Sequence, residues 1–293
     1  MGKISQRMTL SGQNTDVLRI SYNSVMIDVH CHLNFHSFKD DYDEVIKSAL
    51  AKGVTRIINT GTKHDSSQWA VDLAKQYTEL YAIVGVHPHH ADKVELGENW
   101  IEELEKIARK EKVVGIGEIG LDYFSYKSNG IVDPKVQKEV FATQIELAHQ
   151  LQLPLQIHNR LAGEDVISVL KEHKNLLQSV PGMFHCFAGS KKVLKDALDL
   201  GFFIGFDGNS TYPGIAPKET VELRELIKLT PLDRIVTETD SPFLTPVPHR
   251  GKRNMPEYVI LVGEFIAKVK GVTIGQIVEQ TTQNVYTIFT RLK

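Results

Sequence analysis

Short apolar runs alternate with amphipathic stretches along almost the whole chain. MIDVH (26–30), RIINT (56–60), YAIVGVH (81–87), VVGIGEI (113–119), LQIH (155–158), GMFHCF (182–187), FFIGF (202–206) and RIVTET (234–239) are close to continuously hydrophobic. That texture predicts parallel strands buried on both faces, since a half-exposed strand alternates instead. Between the runs, polarity repeats at helical spacing. Val45, Ile46, Ala49 and Leu50 share one face, as do Ile101, Leu104, Ile107 and Ala108. A broader stripe carries Val136, Val140, Ile145, Leu147 and Ala148, and Asp133 ahead of Pro134 makes a helix start. Eight strands with intervening helices predict an α/β fold closed as a (β/α)8 TIM barrel, a single domain over residues 26–293. An open doubly wound sheet is the rival, but it gathers ligands near one switch point rather than from many strands. Residues 1–25 precede the first strand as an N-terminal extension that the pattern assigns to no element.

Polar residues able to bind metal interrupt these runs at their C-terminal ends: His30 and His32, Glu118, His158, His185 and Asp240. Barrel strand ends converge on one mouth, so residues distant in sequence can form one site there. His30 and His32 stand two apart, on the same side of an extended strand, and can grip one cation. Glu118 has two oxygens and can bridge two cations. His158 and His185 would hold the second. Asp240 can ligate and also accept the proton of an activated water. Glu238, deeper on the same strand, can hydrogen-bond those ligands. Asp240, Glu118 and Glu238 are thus the candidate catalytic carboxylates. His87 is expected to touch substrate, and Arg250 and Arg253 in HRGKRN to clamp phosphates. Asp122 could anchor the Glu118 segment or orient a ligand. His36, His64, His149 and His173 are assigned no role.

With 293 residues, 42% hydrophobic and 24% charged, the chain can bury a large core. A net charge of −2 gives no basic field that advertises nucleic acid, although bound cations add positive charge that this count omits. Cys31 and Cys186 each neighbour a candidate histidine, and strand alternation turns both away from the site as small buried hydrophobes. No disulfide framework, membrane-spanning run or secretory leader is evident, so a cytoplasmic location is expected.

IDVHCHL, GVHPHH, GEIGLDYF, PLQIHNR, HCFAG, TETDSPFLTP, RGKRN and NVYTIF, spread from Met26 to Phe289, together resemble the TatD family of metal-dependent deoxyribonucleases, within the amidohydrolase-like barrels. The resemblance implies a TIM barrel whose ligand positions match His30, His32, Glu118, His158, His185 and Asp240. It associates His87, Glu238 and Arg253 with the site or the substrate. It implies phosphodiester cleavage, often as a 3′→5′ exonuclease on single-stranded DNA, with two divalent ions (Zn, Mg or Mn). Asn34 stands where many members have Asp. Met255 replaces the usual acidic residue after RxxRN, and Asp207 gives the seventh run an unusual end. Hydrolysis of another ester or amide, including aminoacyl esters, is the alternative enzyme reading. Many related barrels bridge their metals with a carboxylated lysine; here the fourth run offers Glu118 and no lysine. A metal-bearing scaffold without activity is the third reading.

Overall fold

The computed structural model describes residues 26–292 apart from 95–96, 98 and 128–129; the N-terminal extension lies outside the described residues. Eight parallel strands follow one another in sequence order around a single sheet. They are β1 (Met26–Cys31), β2 (Val54–Thr60), β3 (Leu80–Val84), β4 (Val113–Asp122), β5 (Leu155–Arg160), β6 (Gly182–Phe184), β7 (Phe203–Phe206) and β8 (Ile235–Thr237). The strands are almost entirely buried, as expected of a sheet covered by helices.

The connecting helices are α1 (Tyr42–Ala51), α2 (His64–Gln76), α3 (Ala91–Val94), α4 (Trp100–Ala108), α5 (Pro134–Leu151), α6 (Gly163–Glu172), α7 (Lys191–Asp199), α8 (Leu223–Leu229), α9 (Val259–Lys270) and α10 (Ile274–Ile288). The α5 start is as the sequence predicts: Pro134 occupies the first turn and the Asp133 carboxylate accepts the Lys135 N–H at 2.8 Å.

The ring closes between β1 and the segment after β8. Cys31 bridges Ser241 in parallel, His32 N–H donates to the Ser241 carbonyl at 2.7 Å, and Asp240 N–H donates to the His30 carbonyl at 2.9 Å. Asp28, fully buried, reinforces the seam by accepting from the Thr239 N–H (2.9 Å) and hydroxyl (2.6 Å). Burial outweighs those bonds and pushes its carboxyl up to about 8.

Two apolar layers result. The outer one lies between strands and helices and includes Cys31, Ile57, Ile116, Phe184 and Ile266. The inner one fills the barrel floor: Val29, Ile58, Ile83, Val114, Met183 and Val236 meet Val285, Ile288, Phe289 and Leu292 from α10 and beyond. Apolar side chains thus close the floor, where the buried Asn284 amide donates to the Leu232 and Ile235 carbonyls, and the candidate site residues lie at the levels above it.

Candidate metal centre

β1 supplies the first half of the site. A register shift between Asp28 and Cys31 interrupts strict alternation, so Val29 joins the floor while His30 and His32 both belong to the polar cluster above it. An acceptor stands behind each ring. Gln156 Oε1 is 2.8 Å from His30 Nδ1, and the Thr60 carbonyl is 2.9 Å from His32 Nδ1. The Gln156 amide is oriented by its own N–H donation to the Val29 carbonyl at 2.9 Å. Both Nδ1 atoms must therefore carry hydrogen, which leaves the two Nε2 atoms facing inward, 3.0 Å apart. Asp240 Oδ1 lies 3.5 and 3.4 Å from these nitrogens, and Glu118 Oε2 lies 3.8 and 3.7 Å from them. Burial, together with the neighbouring histidines His185 and His32, holds His30 down to about 4, so its Nε2 offers a lone pair.

β4 and β5 supply the second half. β4 also shifts register, between Ile116 and Ile119. Gly117 is needed there because a Cβ would come within 2.7 Å of the Gln156 side chain and 2.8 Å of its carbonyl oxygen. Glu118 then turns its other oxygen, Oε1, to His158 Nδ1 (2.6 Å), His185 Nε2 (2.7 Å) and His87 Nε2 (3.5 Å). His158 Nε2 points the opposite way, 3.2 Å from Asp122 Oδ2. That oxygen also accepts the Tyr126 hydroxyl at 2.7 Å, while Asp122 Oδ1 accepts the Phe124 N–H at 2.8 Å. Burial lowers the affinity of His158 for a proton, but Glu118 and Asp122 on either side outweigh it and raise the ring to about 10.

The donor set fits divalent cations. Each Glu118 oxygen faces a separate group of imidazoles, and the outward nitrogens of His30, His32 and His158 are fixed by Gln156, Thr60 and Asp122, the arrangement that orients metal-ligating histidines, while His185 Nδ1 has no partner among the described residues. The structure thus brings His30, His32, Glu118, His158, His185 and Asp240 together. Burial raises the Asp240 and Glu118 carboxyls, yet the surrounding histidines more than offset this and hold both well below the usual carboxylate range. Glu238 is fully buried. Its Oε1 accepts the Cys186 N–H, its Oε2 has no partner among the described residues, and it lies within 4.8 Å of nitrogens of His30 and His185.

His87 reaches Glu118 and stacks edge-on to His158 with ring centroids 4.3 Å apart, so the candidate substrate contact stands directly beside the metal cluster. Its partners come from the neighbouring strands, which a search of its own strand does not reveal. Cys31 does face the outer core, but Cys186 does not turn away. β6 ends at Phe184, and Cys186 takes a left-handed conformation (φ 44°). Its thiol reaches Asp207 and Asp240, and the Asn209 amide donates to its sulfur at 3.3 Å. Asp207 is fully buried, and burial with the Asp240 charge lifts it to about 7. The arginines of the basic loop, expected to clamp phosphates, have partners within the chain. Arg253 pairs both guanidinium nitrogens with Asp41 (3.0 and 2.5 Å) and lies over the Phe38 ring, while Arg250 lies over Tyr212 at 4.0 Å. The neighbouring Asn254 has the structural role, donating to the Thr239 and Phe243 carbonyls at 2.7 and 2.6 Å.

Sequence reasoning missed Arg160. It ends the LQIHNR run two residues past His158, on the same strand side. Its guanidinium stacks 3.9 Å from Phe124, and Nη1 donates to the Tyr126 hydroxyl at 2.9 Å. The i+2 spacing from a candidate ligand was the available signal.

A family model described as TatD related DNase matches residues 27–290. The chain belongs to the TatD-related DNase family. Like its TatD relatives, it is a metal-dependent hydrolase. It is 40% identical over 266 residues to an uncharacterized metal-dependent hydrolase, YabD, of Bacillus subtilis, covering 90% of this chain and 99% of that one. It is 34% identical over 273 residues to the 3′-5′ ssDNA/RNA exonuclease TatD of Klebsiella pneumoniae, covering 90% and 97%. The crystal structure of YJJV, a TatD homolog from Escherichia coli, superposes with a TM-score of 0.81 at 30% identity, covering 90% and 98%. Among the described residues, no helix is long and apolar enough to cross a membrane.

Proposed function

We propose that this TatD-family hydrolase cleaves phosphodiester bonds of single-stranded DNA as a 3′→5′ exonuclease, using two divalent cations of the Zn, Mg or Mn type. The observation that carries the proposal is the division of Glu118 between two clusters: Oε2 with His30, His32 and Asp240, and Oε1 with His158 and His185. Cations held by these residues would supply Lewis acidity to the phosphoryl oxygens and lower the pKa of the attacking water. Asp240, tied to the β1 carbonyl of His30, accepts that water's proton at the mouth. Glu238 steadies the backbone after His185 through the Cys186 N–H. His87 keeps its Nε2 toward Glu118 because the His89 N–H occupies Nδ1 at 3.0 Å. Arg160, already braced by Phe124 and Tyr126, is the guanidinium we assign to a substrate phosphate on the His158 side.

The name of the Klebsiella pneumoniae relative supports a nucleic-acid substrate. Glu118 as the bridge favours this reading over amide and lactone hydrolysis by barrels bridged through a carboxylated lysine. Cys31 and Cys186 are free thiols, in keeping with the cytoplasmic location expected from the sequence.

The test is to supply Mg, Mn or Zn to metal-stripped protein and follow single-stranded DNA labelled at its 3′ or 5′ end. Immediate loss of the 3′ label, with stepwise shortening of the 5′-labelled strand, is expected. Metal-loaded protein that leaves both strands intact refutes the proposal.

A further inference from the structure

A groove of about 660 Å³ opens beside the His32 side of the metal centre. Phe35, Pro242 and Phe243 line it from the segments after β1 and β8, and Lys63, Ser66 and Trp69 line it from around the start of α2. The aromatic walls are continuous with the site. Phe35 stacks on the His32 ring, with centroids 4.4 Å apart and planes 16° from parallel. Phe243 meets Phe35 edge-on at 6.0 Å and His32 at 6.4 Å.

Phe243 is 50% exposed, although its backbone is tightly held. Its N–H donates to the Asp240 carbonyl at 2.8 Å, and its own carbonyl accepts from Asn254 at 2.6 Å. A half-exposed phenyl ring is thus fixed on the same turn as a candidate metal ligand, with no packing partner on its open side that the core requires. Rigid aromatic faces next to a phosphate-handling centre suit the flat face of a base, which binds by stacking whatever its identity. The groove volume also falls in the range of small-ligand sites, roughly 300–1,000 Å³.

We propose that this groove is a nucleobase subsite, in which the base flanking the scissile phosphodiester stacks on Phe243. Phe35 and Trp69 complete the apolar walls, and at the rim Lys63, paired with the exposed Asp65 at 3.3 Å, exchanges that partner for a phosphate of the strand. Binding is by face rather than by base edge, so base preference is weak. The subsite rests on the phosphodiesterase reading, and its test separates the two.

Single-stranded oligonucleotides carry either normal bases or tetrahydrofuran abasic residues at the last two 3′ positions. Wild type, Phe243→Ala and Phe243→Tyr are compared on both, with metal content and thermal unfolding measured for each. On the base-bearing strand, Phe243→Ala should lose about 5- to 150-fold in kcat/KM, mostly through KM. Phe243→Tyr should recover most of that loss. The abasic strand should be poor for wild type and no worse for Phe243→Ala, because the two changes remove the same interaction. Equal losses for Phe243→Ala on both strands, or none on either, overturn the subsite and leave the phosphodiesterase reading standing. A metal-loaded wild type that cleaves neither strand overturns both.

Discussion

Asp122→Asn isolates the second half of the metal centre. Phe124 N–H, 2.8 Å from Oδ1, keeps the remaining amide oxygen in that position. The new NH2 group therefore replaces Oδ2 and faces two donors, the Tyr126 hydroxyl at 2.7 Å and His158 Nε2 at 3.2 Å. The hydroxyl can rotate to accept; the imidazole can accept only by shifting its hydrogen to Nδ1. That hydrogen then points at Glu118 Oε1, 2.6 Å away, and removes the lone pair a cation needs. Losing such an orienting carboxylate costs about 10- to 100-fold in metal affinity, or roughly 1.4–2.8 kcal/mol. Chelator-buffered titration followed by metal analysis should show the second binding step weakened by that amount and the step at His30 and His32 unchanged. Asp122→Ala, which opposes neither tautomer, should be milder. A wild-type second step in Asp122→Asn, or a larger loss in Asp122→Ala, refutes the tautomer argument.

Gln156→Leu removes the acceptor behind His30 and orphans the Val29 carbonyl. The first metal step should weaken by about 10- to 100-fold, and urea unfolding in chelator should show a loss of about 1–3 kcal/mol. Arg253→Ala should leave oligonucleotide KM unchanged and cost no more than about 1 kcal/mol, since its ion pair with Asp41 is part-exposed; a KM rise absent from Asp41→Ala would restore a substrate role. Arg253 holds the Asp41 carboxyl below its usual range. The stability difference between wild type and Asp41→Asn should therefore be full above the ordinary aspartate value and vanish as pH falls through the folded one. Metal loading should release protons, because metal-free His158 stays protonated up to about 10. Calorimetry in buffers of different ionisation enthalpy at neutral pH reads this directly, and binding should tighten as pH rises; loading without proton release contradicts it.

Much of the barrel was legible because strand burial imposes continuous apolar runs and helical burial imposes stripes. The six candidate ligands were legible for a related reason: few other forces place an imidazole or carboxylate at the end of such a run. What stayed hidden depends on breaks in the pattern. The register shifts at Asp28–Cys31 and Ile116–Ile119 are local departures from alternation that no residue type announces. Cys186 was misplaced because alternation was carried past Phe184, where β6 stops. Arg253 has its partner, Asp41, on a segment far off in sequence, and a single chain gives no sign of that pairing. His87 was judged against its own strand, while its neighbours Glu118 and His158 arrive from β4 and β5.

The plug formed by Val285, Ile288, Phe289 and Leu292 makes the reaction chamber a blind well. A polymer cannot be threaded through it and drawn out at the far side. If the substrate is a nucleic-acid strand, as proposed, it enters and its fragments depart by one doorway, so each severed piece must clear the opening before the shortened strand can advance. On that reading, such a well suits a few short bites at a loose end better than a long uninterrupted run along a strand.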